Sequence, residues 1–115
     1  MTDTSEKLPM ETTCQAVKAK LDADDEFLLL DCREQDEYQL VHIEGSRLLP
    51  MSELMVRAGE LEPYRTHEMV VHCHHGGRSM QVRQWLRQQG YARVQSMVGG
   101  IDRWASEIEP HLPRY

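Results

Sequence analysis

Four successive apolar residues, Phe27-Leu28-Leu29-Leu30, closed by Asp31, restrict the fold of this chain more than any other stretch. An apolar run without alternation reads as a strand covered on both faces, which is how strands sit in a parallel sheet between helices. Met69-Val70-Val71 gives another strand and leads straight into Cys73. Between and after these runs the apolar residues recur at helical spacing. Cys14, Val17 and Leu21 follow a capping box begun by Thr12 and Gln15, and a short helix is expected over residues 34–40. Ser52 is placed to cap a helix with Leu54, Met55, Ala58 and Leu61 on one side. Val82, Trp85 and Leu86 mark a helix over residues 79–89 that ends at Gly90, and Ile101, Trp104, Ala105 and Ile108 mark a closing helix. Residues 8–10, Leu48-Leu49 and residues 94–98 supply the remaining strands, and residues 110–115 read as an irregular tail. Strands alternating with helices predict an α/β fold with a parallel sheet.

At 115 residues the chain is expected to form one domain over residues 1–115, with its core at about 8–109. Its net charge of -6 excludes attraction to nucleic acid or to an anionic membrane surface. No apolar stretch approaches the ~20 residues that cross a bilayer. Residues 1–9 are polar and acidic, unlike a secretory signal or an Arg-rich transit peptide, and are expected to fray. Three cysteines, an odd number with none in a C-x-x-C pair, indicate reduced thiols and a cytoplasmic protein.

The chemistry concentrates in Cys73-His74-His75-Gly76-Gly77-Arg78-Ser79. A strand ends in cysteine, passes through two glycines and opens a helix. Such a loop can turn several backbone N–H groups toward one sulfur, and the helix start adds its positive end; both favour thiolate over thiol. Gly76 and Gly77 allow positive φ and leave room for an anion. Arg78 can pair with an anionic substrate or steady the loop. His74 and His75 add positive potential when protonated. Against this stands a buried cysteine that merely ends a strand. The run of histidines around Cys73 does not have metal-site spacing, because consecutive residues rarely converge on one ion; no metal is expected.

Cys14 reads as core. Cys32 follows a buried strand without a glycine loop and reads as structural, with a resolving-thiol role as its alternative because the two strands can be neighbours. Asp31 and Arg33 read as supporting residues, the carboxylate tying down backbone donors or the arginine. Asp31 and Cys73 both close strands, where parallel sheets bind ligands.

Four segments in order resemble the rhodanese family of sulfurtransferases: Asp31-Cys32-Arg33-Glu34 with Glu37-Tyr38, His42-Ile43 with Gly45-Ser46, the loop from Cys73 to Ser79, and Gly99-Gly100-Ile101 with Trp104. Val41 departs from the glycine common there among relatives. The resemblance implies a three-layer α/β/α fold with a five-stranded parallel sheet of order 1-5-4-2-3. It also implies that Cys73 carries a sulfane sulfur as a persulfide, that residues 74–79 cradle it and that Arg78 receives anionic donors. No cofactor is implied. The implied partners are a small-molecule sulfur donor, such as thiosulfate or a small persulfide, and a thiol or cyanide acceptor, with a sulfur-relay protein as a further partner. Alternatives are a sulfur-carrying binding module that serves a partner enzyme, and a phosphatase or arsenate reductase on the same scaffold. Phosphatases of this fold carry Cys-x5-Arg; here the interval is Cys-x4-Arg and Ser79 stands where the arginine of the longer loop would be, which disfavours that alternative.

Overall fold

The computed structural model describes residues 8–115, so most of the stretch expected to fray, residues 1–7, lies outside the described residues. Five parallel strands, β1 (Glu11–Thr12), β2 (Phe27–Asp31), β3 (Arg47–Leu48), β4 (Glu68–His72) and β5 (Val94–Met97), form one sheet in the order β1-β5-β4-β2-β3. The helices are α1 (Cys14–Asp22), α2 (Gln35–Leu40), α3 (Leu54–Arg57), α4 (Gly77–Gln88) and α5 (Gly100–Glu107). No helix among the described residues is long and apolar enough to cross a membrane.

Alternation along the central strands divides the core into two layers. Leu28, Leu30 and Cys32 of the β2 line, with Met69, Val71 and Cys73 of the β4 line, pack under Leu54, Val82 and Leu86 of α3 and α4. Leu29 and Val70 face the other way, against Cys14 and Val17 of α1 and Ile101 and Trp104 of α5. Burial on both faces is why the two strands carry no polar alternation. Asp31 and His72, register partners at the ends of β2 and β4, are the fully buried polar residues that break this rule.

Several expected elements shift. The first strand is Glu11–Thr12 and not residues 8–10: Pro9 has no N–H to give, and pairing starts only where the Met10 carbonyl accepts the Ser96 amide at 2.9 Å. Thr12 is thereby committed to the sheet, and the α1 cap falls to Thr13, whose Oγ1 accepts the Ala16 amide at 3.0 Å. The third strand is Arg47–Leu48, one residue earlier than expected. Ser52 caps nothing: it lies in a 3-10 turn (Met51–Glu53), and its hydroxyl donates to Glu34 Oε1 at 2.7 Å. The helix expected after it is a single α-turn that tightens into 3-10 geometry over Ala58–Tyr64, so the 3.6-residue periodicity fails. Met55, expected on the buried side, is 80% exposed. Helix α4 starts at Gly77, two residues ahead of the expected Ser79, because Gly76 at φ +121° ends the loop there.

Candidate active site

Cys73 Sγ lies where β4 meets α4. It accepts the Gly76 amide at 3.1 Å and the Ser79 amide at 3.3 Å, N–H groups of the α4 start that have no partner within the helix. Ser79 Oγ stands 3.5 Å from the sulfur and 2.7 Å from Ser96 Oγ, so a buried pair of hydroxyls leads from β5 to the thiol. Cys32, fully buried on the neighbouring strand, supplies a thiol donor. That donor draws the Cys73 pKa down most; burial opposes it, and the Ser79 hydroxyl and the amides of Ser79 and Gly76 assist, for a value of about 4. Cys32 is pushed far up, first by this bond to Cys73 and then by burial. Of the two neighbouring thiols, Cys73 is the one that ionises more readily. Cys14, by contrast, is pushed up to about 11 by its burial among apolar groups on the other face of the sheet.

The loop owes its shape to α5. The Ile101 amide donates to the Cys73 carbonyl at 2.9 Å and the Asp102 amide to the His74 carbonyl at 3.1 Å. Gly100 makes this docking possible. A Cβ there, at φ +58°, would stand 2.4 Å from Cys73 O and 2.5 Å from His74 O. The glycine pair before Ile101 is therefore a requirement of backbone against backbone.

Arg78 does not touch the sulfur. Its two terminal nitrogens donate to Glu37 at 2.8 and 2.9 Å, and this pair ties the first turn of α4 to α2. Glu37 also accepts the Glu34 amide at 2.9 Å, completing a capping box at the start of α2. Asp31 and Arg33 form a buried fork: Nε donates to Oδ1 at 3.0 Å and Nη2 to Oδ2 at 2.7 Å. Arg33 also donates to the carbonyls of Val41 and Glu37, so it locks the β2–α2 connection in place. His72, fully buried beside Asp31, has no hydrogen-bond partner on either ring nitrogen among the described residues, and burial holds its pKa below the ordinary histidine value.

The tail expected to be irregular has no helix or strand, yet it reaches the site. Tyr115 stacks on His74 with ring centroids 3.9 Å apart; its hydroxyl accepts from Arg33 Nη1 and donates to Glu37 Oε1, each at 2.9 Å. His74, His75 and Asp102 bring one potential metal-ligand atom each within 4.8 Å of one another. The Asp102 carboxylate already accepts from the Arg114 guanidinium at 3.0 and 3.1 Å, so a cationic group occupies that position.

Of the residues singled out in the sequence, the structure gathers Cys73, Gly76 and Ser79 at the sulfur. It sets His74, His75, Gly77 and Arg78 around them and puts Asp31 and Arg33 behind. Sequence reasoning missed Ser96, Tyr115 and the tethering by Glu37. Ser96 carried no local signal, because the burial of its whole strand becomes visible only in the fold. An apolar hollow of about 230 Å³ between Met51, Leu54, Met55, Gln81, Val82 and Trp85 contains no residue of the loop.

The profile of the Rhodanese-like domain matches residues 13–107. The Bacillus subtilis protein YrkF, named as a candidate sulfur carrier, is 34% identical over 99 residues, covering 86% of this chain and 52% of that protein. A protein of Allochromatium vinosum named a sulfurtransferase is 34% identical over 95 residues, covering 83% of this chain and 87% of that protein. The crystal structure of a rhodanese-related protein from Thermoplasma volcanium superposes with a TM-score of 0.77 at 29% identity, covering 89% of this chain and 96% of that one. The chain spans about half the length, or less, of the first curated relatives it matches: 52%, 31% and 22%.

Proposed function

The chain belongs to the rhodanese-like domain family, and from that premise we propose that it is a sulfurtransferase working through a persulfide on Cys73. The observation that carries this reading is the Cys73 sulfur, which accepts the Gly76 and Ser79 amides at the start of α4, donors that favour its ionised form. The thiolate attacks the outer sulfur of a donor such as thiosulfate. A new S–S bond forms, the donor's S–S bond breaks, and sulfite leaves with the electron pair of that bond. The outer sulfur now carries the negative charge, which loop N–H groups stabilise as they stabilise the thiolate. An acceptor, cyanide or a thiolate, then attacks the outer sulfur, and the Cys73 thiolate is restored. This is a two-step route through a covalent intermediate. Arg78 receives the anionic end of the donor, which competes with the Glu37 carboxylate for the guanidinium. Asp31 and Arg33 support the strand end. The reaction takes place in the cytoplasm and needs no metal or organic cofactor.

Mass analysis of the protein after exposure to thiosulfate tests this reading. One added sulfur atom on the peptide that contains Cys73, removed by cyanide, is expected; an unmodified Cys73 under conditions that load a known sulfurtransferase overturns it. A second reading is favoured by the name of the B. subtilis relative and by the chain's coverage of only half of it. In that reading the domain carries sulfur for a partner enzyme in a relay and has little free turnover; loading of Cys73 only in the presence of a persulfide-forming enzyme distinguishes it. Turnover of an aryl phosphate without sulfur transfer would instead indicate a phosphatase.

A further inference from the structure

Cys32 has no part in the sulfur transfer proposed above, yet the fold places it beside Cys73. Strands β2 and β4 are neighbours in parallel register, Leu30 opposite Val71 and Asp31 opposite His72. Cys32 and Cys73 each stand one residue beyond that last pair, and the Cys32 amide donates to the His72 carbonyl at 3.1 Å, so the ladder still holds there. Period-two alternation puts both on the same face. Leu28, Leu30 and Cys32 on one line and Met69, Val71 and Cys73 on the other share a single core layer. Residues opposite one another on neighbouring strands have backbones about 4.8 Å apart. That falls inside the roughly 4.4–6.8 Å Cα separation that a disulfide spans. Cys14, the remaining cysteine, belongs to the core layer on the opposite face.

We propose that Cys32 is a resolving thiol, and that peroxide oxidation of Cys73 is captured as a Cys32–Cys73 disulfide that closes the site reversibly. The Cys73 thiolate attacks one oxygen of hydrogen peroxide. The O–O bond breaks, hydroxide leaves and is protonated by solvent, and Cys73 becomes a sulfenic acid. Cys32 sulfur then attacks Cys73 Sγ. The S–O bond breaks, and the departing hydroxide takes the Cys32 proton and leaves as water. The two thiols have lost two electrons and two protons, and the peroxide has become two waters. A dithiol reductant reverses the state. The device joins a thiolate, which reacts readily with peroxide, to a neighbouring thiol that needs no backbone rearrangement to reach it.

The test uses the wild-type chain without any sulfur donor, so it is independent of the persulfide reading. After treatment with hydrogen peroxide, intact mass should fall by two hydrogens, and two of the three cysteines should become unreactive to an alkylating probe under denaturing conditions. Digestion should join the peptides of Cys32 and Cys73, with Cys14 still free, and dithiothreitol should restore all three thiols. In Cys32→Ser and Cys32→Ala the same treatment should add oxygen to Cys73 up to the sulfinic acid, which dithiothreitol does not reverse. Oxygen addition to Cys73 in the wild type with Cys32 still a free thiol, or a link involving Cys14, overturns the proposal. The wild-type measurement decides it even where a variant folds poorly.

Discussion

Glu37 grips Arg78 at two points, Oε2 accepting from Nη1 at 2.8 Å and Oε1 from Nη2 at 2.9 Å. Arg78 holds the Glu37 carboxyl down at about 2, with help from the Glu34 amide and the Tyr115 hydroxyl and against the effect of burial. A carboxylate whose pKa is lower folded than unfolded adds stability that is complete above its unfolded value and is lost as pH falls through the folded one. The Glu37 contribution is therefore present at neutral pH and disappears between about pH 4.5 and about pH 2. Glu37→Gln should cost about 1–2 kcal/mol at pH 7, the low end of charged hydrogen bonds because the pair is partly open to solvent, and should weaken the loss of stability on acidification. Urea unfolding of both proteins at pH 7 and pH 3 measures this. An equal acid-induced loss in the two would contradict it.

Arg78 itself should distinguish donors by charge. Arg78→Ala is expected to raise KM for thiosulfate about tenfold, the equivalent of one charge-assisted contact, with a smaller change for an uncharged persulfide donor. Steady-state kinetics with both donors settles the matter; an equal loss for both would confine Arg78 to tethering the loop.

The low Cys73 pKa sets the pH profile of donor attack. Single-turnover loading by thiosulfate should be flat from about pH 6 to 9 and decline only toward pH 4, because the thiolate is the reacting form. A rate that climbs through pH 8–9, as for an ordinary thiol, would show that the donors around the sulfur do not act. Cys73→Ser should abolish loading and keep the fold.

The hydroxyl pair at the sulfur gives a graded test. Ser79→Ala removes a donor to the thiolate and should raise its pKa by about one, equivalent to about 1.4 kcal/mol. Ser96→Ala, which leaves the Ser79 hydroxyl without its buried partner, should act in the same direction and less. Thiolate absorbance during a pH titration reads both. No change in either would remove the pair from the account.

Two glycines of the same region should respond in opposite ways. Gly100→Ala forces a Cβ onto the backbone of Cys73 and His74 at positive φ and should destabilise by about 3 kcal/mol or more. Gly77, in the first turn of α4 with ordinary φ and open space around it, should gain about 0.5 kcal/mol as alanine. Denaturant unfolding of the two variants checks the contrast.

The sheet was legible because Phe27–Leu30 and Met69–Val71 are apolar without alternation, the pattern expected of strands buried on both faces. Its order came from resemblance and not from periodicity. The stretch around Ser52 misled because short 3-10 turns share the polar starts and apolar spacing of a helix but turn every three residues. At the site, local spacing identified Cys73, Gly76 and Ser79 because one turn of chain connects them. Ser96 reaches Ser79, Glu37 reaches Arg78 and Tyr115 reaches Glu37 from distant positions, and no local pattern encodes such contacts. The tail was read as irregular from its prolines, correctly for its backbone, while the docking of Tyr115 depends on a ring and a hydroxyl that find His74, Arg33 and Glu37 only after folding.

The first turn of α5 engages two carbonyls, those of Cys73 and His74. In a trans peptide the oxygen and the hydrogen point in opposite directions, so pinning these two oxygens also turns the hydrogens of the same planes away from α5. Those planes carry the His74 and His75 amides, so a helix remote from the sulfur sets which way the first two N–H groups of the loop face, and a lesion at Trp104 that lets this terminus lift would release them.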